Sequence, residues 1–326
     1  MIRAPAALCL ALSLALLAAS PAHAAAPTLA AAQLPGGTTL PYFVSAPPGR
    51  NAPTRALIAI QGYTRDATRT FTAASDAAAN AGASADTLII APIFQVPAPE
   101  SERCHFRGVP AAAPTDALWH CGSWSDGSPA LNAPLTSFGA TDALIEQIAR
   151  AYPSLRVVTI AGFSAGGQFV QRYAAFSNVQ SADLRLRYVV ADPSGFLYFD
   201  PWRPVAADES CPEYNMWKFG TDHLPASLGR TAAAARAAYV SADLHYLIGA
   251  LDTGNGPGTA YRLLESSCAA ERQGRYRLDR SEHYAAYDAA MLAHGRHPLT
   301  IVPGCAHSVS CVFPAQAARA ALFGGR

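Results

Sequence analysis

Val157-Val158-Thr159-Ile160-Ala161-Gly162-Phe163-Ser164-Ala165-Gly166-Gly167-Gln168-Phe169-Val170-Gln171-Arg172-Tyr173 is the stretch whose reading decides the fold. An apolar run, Val157 to Ala161, reads as a strand, and Gln168 to Tyr173 reads as the helix that follows. Between them lies Gly-x-Ser-x-Gly. A serine between strand and helix in this pattern sits on a strained, tight turn that holds its hydroxyl above the sheet edge. A side chain two residues before or after it would strike the neighbouring backbone, so glycine occupies both places. Ser164 is therefore the candidate nucleophile.

Outward from this stretch, apolar runs alternate with helical patterns. Strands are expected at Leu57–Ile60, Thr87–Phe94, Tyr188–Ala191, His245–Ile248 and Leu299–Val302. Helices are expected at Ala73–Ala83 and Ser137–Ala151, along a long segment from roughly Thr259 to Ala293, and at Ala315–Leu322. That alternation predicts an α/β fold with a mostly parallel central sheet and helices on both faces. Two segments interrupt it, at about 97–135 and 195–243. The first is rich in Pro, Gly and Ser and carries Trp119 and Trp124; the second carries Phe196, Tyr198, Phe199, Trp202, Tyr214, Trp217 and Phe219. Both follow carboxyl ends of expected strands, where open α/β sheets bind ligands. We read them as insertions roofing a site, the second as a cap, although most of these aromatics are expected to pack the insertions' own cores.

With strand, elbow and helix in this order, the chain resembles the α/β-hydrolase superfamily over nearly all of residues 25–326. The superfamily orders its triad as nucleophile, acid, histidine. The resemblance implies Asp252 as the acid, because it ends the strand-like run His245–Leu251 before a Gly-rich turn. Asp192, just after the preceding strand, is the reserve candidate; Asp243 precedes its strand and would point to the wrong end. The base is expected at His307, in the loop between the last strand and the closing helix. None of His105, His120, His223, His245, His283, His294 and His297 combines a late position with a strand-end loop. The oxyanion hole is expected from the backbone N–H groups of Ala165 and Tyr63. The family pattern His-Gly-x is altered here, with Gln61 in the histidine's place.

The resemblance implies a serine hydrolase that cleaves carboxylic esters through an acyl-enzyme, with no cofactor and no metal. Compartment, triad and disulfides are similar to those of polyhydroxyalkanoate and polyester depolymerases, which points to small-molecule or polymeric esters. A serine peptidase and a non-catalytic secreted binding protein on the same scaffold are the alternatives.

Composition bounds the remaining classes. The chain has 326 residues, 51% hydrophobic and 14% charged, enough for a large core. Residues 1–24 read as a secretory signal peptide: Arg3, the apolar run Ala6–Ala19, then Ala22-His23-Ala24 as a small-x-small cleavage site. Lys and Arg total 24, one of them Arg3, against 23 Asp and Glu, so residues 25–326 balance. That excludes a general electrostatic attraction to nucleic acid or anionic lipid. No later segment is long and apolar enough to insert stably in a bilayer. Lys218 is the single lysine, which with the abundant alanine reads as the bias of a GC-rich bacterial genome. Beyond Cys9, six cysteines remain: Cys104, Cys121, Cys211, Cys268, Cys305 and Cys311. An even number in an exported chain predicts disulfides. Short loops favour Cys104–Cys121 and Cys305–Cys311, leaving Cys211–Cys268 by elimination. Cys104-His105 with His120-Cys121 could also suggest zinc, but adjacent residues rarely point at one metal, and an oxidising compartment opposes it. The expected location is secreted or periplasmic.

Overall fold

The computed structural model describes residues 27–45, 52–104, 108–181, 183–206 and 210–324; the signal-peptide reading of 1–24 lies outside them. Eight strands form one sheet: β1 (Thr28–Gln33), β2 (Thr39–Val44), β3 (Arg55–Ile60), β4 (Thr87–Pro92), β5 (Val157–Phe163), β6 (Arg185–Ala191), β7 (Asp243–Gly249) and β8 (Leu299–Val302). Their spatial order is β1-β2-β4-β3-β5-β6-β7-β8. β1 and β2 run antiparallel at one edge, and from β4 to β8 every pairing is parallel. Eight helices accompany the sheet: α1 (Ala67–Asn80), α2 (Ser137–Ala151), α3 (Ala165–Phe176), α4 (Ala232–Ser241), α5 (Cys268–Glu271), α6 (Arg277–Met291), α7 (Val309–Val312) and α8 (Arg319–Phe323). None is long and apolar enough to cross a membrane.

A parallel strand buried on both faces needs apolar residues at every position, and the period of two sends them to opposite sides. In β3, Ala56, Ile58 and Ile60 face one core while Leu57 and Ala59 face the other. In β6, Tyr188 and Val190 divide from Val189 and Ala191 in the same way. The first core is closed by α2, α3, α4 and α6, the second by α1 and the chain's last helices. The expected sheet, with helices on both faces, is the one observed.

Four elements differ from the sequence-based expectation. β1 and β2 were not anticipated. β1 is alanine-rich, and β2 carries Pro41, so neither has the β-branched run that marks a strand. α4 lies inside the 195–243 segment and packs on α3, as the crossover helix between β6 and β7. The long helix expected over 259–293 is helical throughout only from Arg277. Before it, a 3-10 turn at Tyr261–Leu263 and the one-turn α5 are linked by loop. Buried arginines take the place of helical hydrogen bonds there. Arg280 donates to the carbonyls of Gly274, Ser194 and Glu265, and Arg277 to that of Thr259.

Most aromatics of the two insertions belong to the main core. Trp119 and Trp124 pack on Phe94, with Trp124 also against Phe169 of α3. Phe196 stacks on Tyr284, and Phe199 meets Tyr239. Trp202 is exposed at 45% and stacks on Tyr287. The three disulfides are Cys104–Cys121, Cys211–Cys268 and Cys305–Cys311. The first takes up both thiols of the zinc reading; His105 lies outside the described residues, and His120 Nδ1 is 2.5 Å from Glu100 Oε1.

The Cys104–Cys121 bridge closes a separation of 17 residues within a segment of little regular structure. Replacing both cysteines with serine should lower the free energy of unfolding by roughly 2–4 kcal/mol. Urea denaturation, with m determined separately for each protein, would check this; a loss below about 1 kcal/mol would show that the segment is held by other contacts.

Candidate active site

Ser164 sits between β5 and α3 with φ 60° and ψ −118°, a backbone region costly for any side chain. Its neighbours allow it. A Cβ on Gly162 would come 1.9 Å from Gly166 O, and one on Gly166 would come 2.4 Å from Ile60 O. Both lie far inside van der Waals contact, so the strand-to-helix reversal closes only with glycine at both positions. The Ser164 N–H donates to Ala191 O at 2.9 Å, tying the elbow to the end of β6.

His307 Nε2 lies 2.9 Å from Ser164 Oγ, and His307 Nδ1 lies 2.7 Å from Asp252 Oδ2. The three residues arrive from the ends of β5, β7 and β8. The His307 N–H donates to Gly258 O, the Leu251 N–H to Cys305 O, and Phe163 packs on the imidazole with ring centroids 4.8 Å apart. Cys305–Cys311 brackets the histidine loop. Asp252 also meets the buried Arg277, Nη1 to Oδ1 at 3.4 Å, and Arg277 Nε donates to Ser194 Oγ. Burial pushes the imidazole below its usual pKa, and Arg277 pushes the same way, while the hydrogen bond to Asp252 opposes both. The imidazole is thereby kept neutral and able to accept a proton near neutral pH.

Tyr63 and Ala165 flank the serine with backbone N–H groups that donate to no protein acceptor among the described residues. Ala165 opens α3, where no carbonyl precedes it in the helix. The loop before α1 is brought close, since a Cβ on Gly62 would lie 3.8 Å from Ser164 Cβ. Asp66 holds that loop by accepting from the Gly62 N–H at 3.0 Å. Arg65, at φ 58°, donates to Cys104 O and Gln95 Oε1, joining the loop to the first insertion. Gln61 is fully buried, and neither side-chain polar atom meets a partner.

Asp192, the reserve acid, does not touch His307 by a hydrogen bond; it lies beside Asp252, with Oδ1 accepting from the Gly249 N–H. Asp243 is at the far end of β7, paired with Arg185 and Arg187. One oxygen each of Asp192 and Asp252 and one nitrogen of His307 lie within 4.8 Å of one another. This set is built as a hydrogen-bond network: both imidazole nitrogens are engaged, and Arg277 already supplies positive charge.

A cavity of about 580 Å³ opens over Ser164. Its walls are Tyr63; Gly122, Ser123, Ser125 and Asp126 of the first insertion; Lys218 of the second; and Arg262–Ser266. The last wall lies in the stretch read from sequence as helix, and its role had no local signal. Arg172 of α3, fully buried, ties two walls together by donating to Ser125 O and Lys218 O. Burial lowers its pKa to about 10, so it stays charged at neutral pH.

Strand order, elbow and strand-end residues define the α/β-hydrolase fold. Among solved structures the chain is similar to a poly(aspartic acid) hydrolase from Sphingomonas sp. KT-1, at 21% identity and TM-score 0.62, covering 91% of this chain and 98% of that one. It is also similar to a poly(3-hydroxybutyrate) depolymerase from Bordetella parapertussis, at 22% identity and TM-score 0.57, covering 89% and 85%. No protein-family model and no curated protein sequence matches the chain.

The lowered basicity of His307 has a direct readout. Its imidazole should titrate with a midpoint below the ordinary value of about 6.5. Proton-detected NMR of the His307 ring over pH 4–8 would test this, and a midpoint above 7 would contradict the balance of burial and charge described here.

Proposed function

We propose that the chain is a serine hydrolase acting on carboxylic esters. The observation that carries this reading is the unbroken line of contacts from Ser164 Oγ through His307 to Asp252, beside two unoccupied N–H donors. In the proposed reaction His307 Nε2 takes the Ser164 proton as Oγ attacks the ester carbonyl. Asp252 holds the imidazole by Nδ1–H and stabilises the imidazolium. The N–H groups of Tyr63 and Ala165 receive the developing oxyanion. His307 then protonates the departing alcohol, leaving an acyl-enzyme. A water, deprotonated by His307, attacks that acyl group, and Ser164 Oγ leaves and regains its proton. The three disulfides support an oxidising location, secreted or periplasmic.

The cavity walls favour a polar substrate over a long alkyl chain. Lys218 is 3.5 Å from Glu265, whereas Arg262 makes no ion pair among the described residues. Arg262 and Glu265 also border a second cavity of about 890 Å³, whose lining carries Arg272, Arg275 and Arg280 together with Glu265 and Glu271. A substrate with a carboxylate beside the scissile group would meet the Arg262 guanidinium at the wall of the cavity over Ser164. That favours, as a second reading, an acidic polymer joined by amide bonds, the kind of substrate named for the Sphingomonas neighbour.

Ser164→Ala should abolish turnover of p-nitrophenyl esters and labelling by a fluorophosphonate while leaving the fold intact; retained turnover would overturn the assignment. A panel of butyrate and palmitate esters, a half-ester of succinate, a poly(3-hydroxybutyrate) film and poly(aspartic acid) would sort substrates. Arg262→Gln should lower kcat/KM on the anionic substrate by roughly tenfold, the worth of one charge-assisted contact, with little change on butyrate. Equal losses on both would remove Arg262 from recognition.

A further inference from the structure

Asp192 is a fully buried carboxyl group that the proposed reaction does not use. It follows β6 in the left-handed region, at φ 45°, and its N–H donates to Leu247 O. Oδ1 accepts from the Gly249 N–H at 2.9 Å, and Oδ2 meets no donor. Gly249 leaves no slack, because a Cβ there would come 2.5 Å from Cys305 O. The charged and titratable groups around Asp192 are Asp252 after β7, His307 after β8 and Arg277 at the start of α6. Two carboxylates buried side by side cannot both stay ionised without a large electrostatic penalty. Asp252 accepts from His307 and from Arg277, whereas Asp192 accepts from one backbone N–H only. The proton therefore belongs to Asp192, and its place is the orphaned Oδ2.

We propose that Asp192 is a neutral carboxylic acid whose O–H donates to Asp252 and sets that carboxylate against His307, making Asp192 a positioning residue for the reaction. The role in turnover rests on the serine-hydrolase reading; the protonated pair does not. Burial and the neighbouring Asp252 charge both push the Asp192 carboxyl well above the usual range, which agrees with the hydrogen-bond pattern. With the proton in place, Asp252 receives hydrogen bonds from three sides, and a misplaced imidazole orienter is costly in an active site.

The test uses Asp192→Asn and Asp192→Gly, both compatible with left-handed backbone. Asn keeps a donor toward Asp252 and an acceptor for Gly249 N–H; Gly removes both. In the folded chain Asp192 retains its proton at pH values where the unfolded chain has lost it. Unfolding then releases a proton, so this group's contribution to stability declines as pH rises above the ordinary aspartate range. Asn lacks that decline. The Tm of Asp192→Asn should exceed that of the wild type at pH 8, with the gap closing toward pH 4. Parallel Tm–pH curves would overturn the neutral-acid assignment, whether or not any ester is turned over. In turnover of p-nitrophenyl butyrate, Asp192→Gly should lose roughly 10- to 100-fold in kcat with KM little changed, and Asn should recover most of that loss. Equal losses for Asn and Gly would overturn the positioning role. Absence of wild-type turnover and of fluorophosphonate labelling would instead overturn the serine-hydrolase reading and leave the Tm comparison to decide the pair.

Discussion

The structure depends first on a steric constraint, the contact of two backbones beneath Ser164. The carbonyl of Gly166 occupies the place a Cβ on Gly162 would need, and Ile60 and Gln61 carbonyls occupy the place of one on Gly166. Because nothing but hydrogen fits, α3 can start immediately at the end of β5 and lie close over β5 and β6. The same closeness brings the Gly62-Tyr63 loop beside the serine and leaves the Ala165 N–H pointing free at the helix start. Moving the elbow outward by the width of a methyl group would separate the serine from the donors that flank it.

A second constraint is the solvation of buried charge. Arg172, Arg277 and Arg280 are almost wholly enclosed, and they mostly meet backbone carbonyls of irregular segments. Such carbonyls have no strand or helix partner and would be costly if left dry. One planar guanidinium can satisfy several of them at once, which lets non-helical chain form the walls of the cavity over Ser164. Around Asp252 the same logic continues with Arg277 on one side and Asp192 on the other. Fold and site thus share their supports, since removing Arg277 would free both the 259–260 carbonyls and one side of Asp252.

Legibility in the sequence followed locality. The parallel strands β3 to β8 were readable because burial on both faces demands unbroken apolar runs. β1 and β2 were not, because a strand with Pro41 obtains its pairing from β4 and the alanine-rich edge strand obtains its pairing from β2. The stretch before Arg277 has helix-compatible composition but is held as loop by Cys211–Cys268 and by distant arginines. No periodicity reports such contacts. Ser164, Asp252 and His307 could be named because each follows a strand on the same sheet edge, whereas Arg65 and Arg277 act through partners far away in the chain.

The sequence by itself determined the sheet's core strands, the elbow at Ser164 and the order of Ser164, Asp252 and His307 along one sheet edge. These depend on side-chain period and on glycine, which are local properties. Only the tertiary structure decided which aspartate meets His307 and which is left beside it. Asp192 and Asp252 both follow parallel strands, and position in the chain ranks Asp252 first without showing which of the two meets the imidazole. They differ in that Asp252 faces His307 and Arg277, whereas Asp192 faces the Gly249 N–H and another carboxylate. That difference is set by how β6, β7 and the Cys305–Cys311 loop pack together, and packing across strands is what a linear pattern does not carry.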